Sequence, residues 1–454
     1  MQVIADLQIH SRFARAVSSQ MRVPVIAEWA KKKGINLVAT GDWTHPMWFR
    51  ELKAGLVEAG EGVYKVNSNF KSQNPKLEEG REPLFLLSTE VSSIYSQGGK
   101  ARRIHTLIFA PDFEVVEKIN RELALRGANL MSDGRPIIGM SAKQVAEIAL
   151  GVDERCLIIP AHAWTPWFSL YGAMSGFDSI EECFGDLSSS IYAIETGLSS
   201  DPAANWRIGE LSNRNIVSFS DAHSPQKLGR EATVFEISSQ RPEVSYELIR
   251  QAITGLTPNS QPPMARIAYT IEFYPEEGKY HYTGHRSCGV IYSPNEARKK
   301  GVVCPVCGKR LTVGVMSRVE SLASFNVEVE TEKDEFSLRW IKDKKGKHPP
   351  YVMLVPLLEI LSEATSSGVG TRTVETVYER LLNSFASEFD VLLKTPLEDI
   401  QRVVGEKIAE GIKKVRSGDI TIEPGYDGVF GKVKIWSSLA KAREDKKEDQ
   451  MQLF

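Results

Sequence analysis

The sequence predicts an α/β protein whose first domain is built on a parallel sheet, open or closed, followed by a cysteine-bearing module and a helical domain. Three observations carry this. Short β-rich runs alternate with segments of helical apolar spacing up to about Thr257, Cys288, Cys304 and Cys307 cluster beyond them, and long amphipathic patterns fill residues 351–417. At 454 residues the chain is longer than one growing core accommodates, so two or three domains are expected.

The predicted strands lie at residues 3–9, 36–40, 84–88, 106–109, 157–161, 192–195 and 216–220, with amphipathic helices between them at 25–33 and 142–150 among others. Five of these seven strands are followed at once by a polar or charged residue, an arrangement that puts chemistry at the carboxyl ends of the strands. The stretch 255–263, rich in Pro, Asn and Ser, closes a first domain of residues 1–262. A metal-binding module is expected at 263–325. A helical domain is expected at 326–440, with a basic loop at 342–350 and, near its end, a glycine-rich turn (424–431) and a short strand (432–436). Residues 441–454 open with a charge run that predicts a flexible tail.

An apolar fraction of 42% and a charged fraction of 25% are those of an ordinary globular protein. The formal net charge of -2 offers no overall positive field, so any nucleic-acid contact must come from local patches. No apolar stretch is long enough to cross a membrane, since even the run from Tyr351 is broken by Pro356 and Glu359. The start lacks a basic region followed by an apolar block, and the expected location is cytoplasmic. Five unevenly placed cysteines fit metal binding better than a disulfide framework.

The first domain holds five of the eight histidines, mostly beside a carboxylate at a strand end. In order these are Asp6-Leu7-Gln8-Ile9-His10, Asp42-Trp43-Thr44-His45, Glu90, His105, His162 and Asp221-Ala222-His223. Alternate residues of a strand point the same way, so Gln8 projects with His10 and Asp221 with His223. Imidazole and carboxylate ligands delivered by several strand ends suit Zn, Mn or Fe, and two or three such ions can clamp a phosphate.

This ordered set resembles the polymerase-and-histidinol-phosphatase (PHP) phosphoesterases, and more closely the endonuclease Q family of DNA-repair nucleases. The stretches that carry the resemblance are Ala5 to Ser11, Gly41 to Pro46, Glu195 to Pro202, Ser220 to Ser224, the cysteine module and Glu423 to Gly431. It implies a distorted (β/α)7 PHP-type barrel with an appended zinc module and a C-terminal helical domain. It also implies a metal centre of Gln8, His10, Asp42, Glu90, His105, His162, Asp221 and His223, with Asp221, His10, Glu90 and His223 central to catalysis. Zinc is the expected catalytic ion, with Mg2+ or Mn2+ as alternatives. One residue departs from the family pattern, which has a second histidine where this chain has Gln8; an amide oxygen is a neutral, poor zinc ligand.

In the module, His285-x2-Cys288 and Cys304-x2-Cys307 form two knuckles at finger-like spacing, which predicts a closed tetrahedral structural zinc, with His281 competing for the histidine place. The C-terminal residues Gln450, Leu453 and Phe454 resemble a bacterial β-clamp-binding peptide and predict a sliding-clamp partner. Arg12, Arg102, Arg103, Lys227 and Arg230 are candidate phosphate contacts. Trp164 and Trp167 are candidates to stack on an extruded nucleotide, packing into the barrel rim being the alternative.

The expected function is multi-metal hydrolysis of the phosphodiester bond 5′ to a deaminated base (uracil, hypoxanthine or xanthine) or an abasic site in double-stranded DNA, by a nucleoid-associated protein, impaired to whatever extent Gln8 weakens the site. Two rival readings stand beside it: a small-molecule phosphatase using the same metal ligands, and a catalytically inactive lesion-binding clamp adaptor, which Gln8 supports.

Overall fold

The computed structural model describes residues 1–70, 82–238, 243–257 and 263–436, so Gln450, Leu453, Phe454 and the expected tail lie outside the described residues. The fold is mixed α/β with a helical region toward the C-terminus. A ten-stranded sheet runs Val329–Lys333, Arg339–Asp343, Tyr351–Met353, Ala265–Glu272, Ala232–Ile237, Gln2–Asp6, Leu37–Ala39, Leu84–Leu86, Val63–Val66, Leu56–Gly60. Gln2–Asp6, Leu37–Ala39 and Leu84–Leu86 are mutually parallel, while Ala232–Ile237 pairs antiparallel to Gln2–Asp6. A second sheet has the order Ile137–Ile138, Ser88–Gln97, Lys100–Phe109, Leu157–Pro160.

The strand pairing does not by itself establish the expected distorted (β/α)7 barrel: the described strands divide among separate, partly antiparallel sheets. One cause is local. Gly98 (φ 61°) and Gly99 (φ 71°) form a two-residue loop between Gln97 and Lys100, a hairpin turn whose left-handed residues match strand twist and remove the need for a crossover helix.

The amphipathic helix Val23–Lys33 buries Val23, Ile26, Ala30 and Lys33 on one face and stops at Gly34, whose φ of 87° favours glycine. A Cβ there would meet Ser387 Oγ at 2.5 Å, so the same glycine lets the C-terminal helices approach. Helix Ala142–Val152 starts on a capping box in which Ser141 and Gln144 satisfy each other's backbone N–H groups.

The sheet also crosses the domain boundaries expected at 262/263 and 325/326. Ala265–Glu272 pairs with Ala232–Ile237, and Tyr351–Met353, inside a stretch read as helical, is a strand parallel to Ala265–Glu272. Helices follow only after Pro356: Leu357–Ala364, Arg372–Phe385, Glu388–Leu393, Leu397–Val404 and Glu406–Ser417. They are fastened to the preceding α/β part of the chain by Lys33 Nζ–Glu388 Oε2 (2.7 Å, both buried), Lys32–Glu379 (2.9 Å) and Lys227–Glu359 (2.6 Å). The buried Arg416 guanidinium is satisfied by the carbonyls of Phe336, Val391, Leu392 and Thr395 at 2.6–3.0 Å. The cysteine module has a small core of its own around Val290, Tyr292, Ala297, Cys304 and Leu311.

Candidate metal centre

The chain leaving strand Gln2–Asp6 stays extended through a bridge between Ile9 and Ala222, which aims Gln8 and His10 to the same side. Asp6 is a brace beneath them. Its buried carboxylate accepts from Ser220 N (3.0 Å), Ser220 Oγ (2.6 Å) and Gly229 N (2.9 Å), locking the loop that carries Asp221 to the first strand. Asp42, His162 and Asp221 have φ of 50°, 29° and 46°, left-handed conformations of non-glycine residues concentrated at one place, as at functional sites.

Two groups of ligand-type atoms converge here, each within 4.8 Å: His10, Asp221 and His223, and Glu90, His105 and His162. Glu90 joins them. Its Oε1 lies 2.5 Å from His105 Nδ1 and 3.4 Å from His162 Nε2, while its Oε2 lies 3.2 Å from His10 Nε2. His10 Nε2 is also 3.1 Å from Asp221 Oδ1, and its Nδ1 is 2.9 Å from Asp42 Oδ1. The outer nitrogens of His105 and His162 meet Ser92 Oγ (3.0 Å) and Ser169 Oγ (3.2 Å), contacts of the kind that fix ring orientation around a metal. Asp42 therefore orients His10, and the structure brings all eight expected residues to one region.

The electrostatics follow from burial and charge. Burial pushes the Glu90 carboxyl up, but the Arg135 guanidinium and then His105 outweigh it and hold the group well below the usual range. Burial drives the His105 imidazole down to about 4, toward the neutral form a metal ligand needs. Nitrogen and carboxylate donors gathered in a buried pocket fit divalent Zn, Mn or Fe. Gln8 fits least well. Its Nε2 donates to Glu90 Oε2 at 2.8 Å, and its buried Oε1 has no hydrogen-bond partner among the described residues.

Sequence reasoning missed Arg135. Its Nη1 is 3.3 Å from Glu90 Oε1 and 3.4 Å from His10 Nε2, so a guanidinium faces the centre of the ligand set. The only trace in the sequence is a cation between Gly134 and Pro136. That glycine is needed, because a Cβ would meet Asp42 Oδ2 at 2.4 Å. Glu195 was also missed; its buried carboxylate accepts the His162 N–H at 2.7 Å and sustains the strained turn.

A cavity of about 670 Å³ adjoins the centre, lined by His105, His162, Asp221 and His223 and also by Trp167, Tyr280, Val315 and Phe430. The half-buried Trp167 meets Tyr280 edge-on at 5.5 Å. Trp164 is a correction: it is fully buried, donates from Nε1 to Asn205 Oδ1 (2.6 Å) and packs on Tyr171, so it belongs to the core and not to a nucleotide platform. Arg230 holds the Ser220 carbonyl (2.8 Å) at the cavity wall, and Arg103 is exposed over Phe168. Arg12 is paired with Glu51, Arg102 donates to the Gly176 carbonyl beside Phe177, and Lys227 is tied to Glu359, so these three are engaged within the protein.

In the module, His285, Cys288, Cys304 and Cys307 converge within 4.8 Å. His281 lies apart from that tetrad, buried against the cavity with Nδ1 unpartnered among the described residues.

The MJ0043 C-terminal domain family model matches residues 356–419. Protein MJ0043 of Methanocaldococcus jannaschii, itself uncharacterised, is 32% identical over 275 residues, 60% of this chain and 31% of that protein, so the chain spans about a third of that relative's length. The lesion-specific endonuclease PfuEndoQ from Pyrococcus furiosus superposes with a TM-score of 0.77 at 33% identity, covering 97% of both chains. An endonuclease Q complex with a 27-mer duplex bearing an abasic lesion at the active site superposes with a TM-score of 0.77 at 34% identity, covering 96% of this chain and 97% of that one.

Proposed function

The chain belongs to the endonuclease Q family, and on that premise we propose that it is a metal-dependent DNA-repair endonuclease that nicks duplex DNA 5′ to a deaminated base or an abasic site. The observation that carries the reading is the pair of ligand triads joined by Glu90 at the mouth of a cavity of about 670 Å³, roomy enough for an extruded nucleoside.

His10, Asp221 and His223 would hold one ion, and Glu90, His105 and His162 another. Bound ions supply Lewis acidity toward a phosphate and a water activated at neutral pH. The chain's own residues set the geometry. Asp42 holds His10 with Nε2 facing the pocket, Arg230 anchors the Asp221 loop, and Arg135 presents a fixed positive charge to the incoming phosphate. Trp167 and Tyr280 offer faces to the extruded nucleoside. The Cys3His tetrad takes a structural zinc. The C-terminal Gln450, Leu453 and Phe454 would reach a sliding clamp and keep the protein with the nucleoid.

A nicking assay tests this directly, on duplexes carrying uracil, hypoxanthine or an abasic site with Mn2+, Mg2+ or Zn2+ added. Cleavage 5′ to the lesion is expected, with none of an undamaged duplex. Hydrolysis of a sugar phosphate without any nicking would favour a small-molecule phosphatase instead. A second reading, a lesion-binding clamp adaptor without nuclease activity, is favoured by the Gln8 amide donating to Glu90. Lesion binding with no nick under every metal, in the native chain and in Gln8→His, would establish it.

A further inference from the structure

The turn between strands Thr421–Glu423 and Lys432–Lys434 presents Phe430, 64% exposed, at the rim of the cavity that adjoins the metal ligands. Single exposed apolar side chains are ordinary, but this ring lines the cavity beside the metal ligands.

The ring sits on a rigid mount. Gly425 N donates to the Glu276 carbonyl (2.8 Å), Gly428 N to Lys279 (2.9 Å) and Gly431 N to Glu277 (3.0 Å), stitching the turn to the cavity wall. The backbones touch closely, since a Cβ on Gly431 would lie 2.0 Å from the Glu276 carbonyl oxygen. Val429 beside it is 39% exposed, and the Lys279 ammonium stands 4.5 Å from the Phe430 ring centroid. A fixed apolar ring with a cation alongside, at the entrance of a site for an extruded nucleoside, is suited to a base stack and its adjacent phosphate.

We propose that Phe430 is the strand-opening residue of this enzyme: its ring enters the base stack in the place vacated by the extruded lesion, while Lys279 meets the flanking phosphate. The proposal rests on the endonuclease reading above. Extrusion forfeits stacking and pairing, and an aromatic face inserted in the gap restores stacking to the neighbouring bases whatever their identity. The benefit is largest for a paired lesion and vanishes where there is no stack to open.

The test compares the full native chain with Phe430→Ala and Phe430→Trp on a uracil duplex, the same uracil opposite a gap, and a uracil-bearing single strand. A 2-aminopurine next to the uracil reports unstacking on binding, independently of cleavage. Phe430→Ala is expected to lose about tenfold or more in nicking of the paired duplex, the scale of one lost base–aromatic stack, while single-strand cleavage stays within about twofold. The 2-aminopurine response should change with it, and Phe430→Trp should retain both. Zinc content and Tm should be unchanged. Equal loss on all three substrates would place the ring in the base pocket and overturn the proposal, as would no loss on the paired duplex. If the native chain nicks no DNA at all, the nuclease reading fails instead, and the 2-aminopurine response still decides the role of Phe430.

Discussion

Arg135 Nη1 stands 3.3 Å from Glu90 Oε1, the carboxylate oxygen that also faces His105 and His162. A permanently charged guanidinium at the junction of two ligand groups keeps Glu90 ionised and, in the proposed reaction, would stabilise charge on the phosphate. Arg135→Met is therefore expected to lower the single-turnover cleavage rate about 10²- to 10³-fold, the size of one lost charge-stabilising donor. Because Arg135 also holds the ligand Glu90 ionised, the comparison is made at saturating metal with metal content read in the same samples. A variant that cleaves normally would remove Arg135 from the reaction.

Gln8 yields a separate prediction. Its amide nitrogen, not a ligating atom, is directed at Glu90 at 2.8 Å, and the imidazole of Gln8→His would bring a strong donor to the same place. The substitution should raise metal content per chain by elemental analysis and raise the nicking rate at limiting metal. If both values stay at those of the native chain, position 8 lies outside the working site.

Much of the candidate site was legible because polar residues recurred at the apolar runs as a set, although any one of them alone also fits a satisfied core residue. His10, His162 and Asp221 stood out as polar groups just past the ends of apolar runs, and Glu90 and His105 as polar groups beside such runs, here buried within strands Ser88–Gln97 and Lys100–Phe109. Arg135 did not, because it comes from a loop whose approach to Asp42 depends on tertiary packing around Gly134. Residues 351–355 misled for a different reason: a short continuous apolar run fits a buried strand as well as a helix, and only the pairing of Tyr351–Met353 with its neighbours decides. Trp164 followed His162 closely enough to suggest the site, yet the chain turns it inward to Asn205.

A buried carboxylate cluster beneath the site predicts a pH dependence of stability. Glu272 accepts from Ser218 Oγ (2.5 Å) and from Thr270, and the acids Glu231 and Asp201 are its charged neighbours. Burial, reinforced by Asp201, pushes its pKa up to about 8. The folded protein thus prefers the protonated form more than the unfolded chain does. That stability is fully present below about pH 4.5 and is lost as pH rises through about 8. Glu272→Gln, which keeps a neutral acceptor, should flatten the decline. At pH 9 its Tm should exceed the native value by about 2 °C or more, with little difference at pH 5. Parallel Tm profiles for the two proteins would show that Glu272 is ionised throughout.

Lys33 and Glu388 join helix Val23–Lys33 to the C-terminal helices. Their charged atoms are 2.7 Å apart and almost without solvent, and Glu388 also accepts from Leu357 N (3.0 Å) and Tyr378 OH (2.9 Å). Removing one charge from such a pair strands the other in a dry environment, which costs about 3–5 kcal/mol, more than the pair itself contributes over an apolar replacement. Glu388→Gln should accordingly lower the urea midpoint although its amide oxygen can still accept a hydrogen bond. Lys33→Met in the same chain should recover much of the loss, because the stranded ammonium is gone. Strictly additive effects in this double-mutant cycle would mean that the two groups are already solvated, and that the helical region is held by its apolar contacts alone.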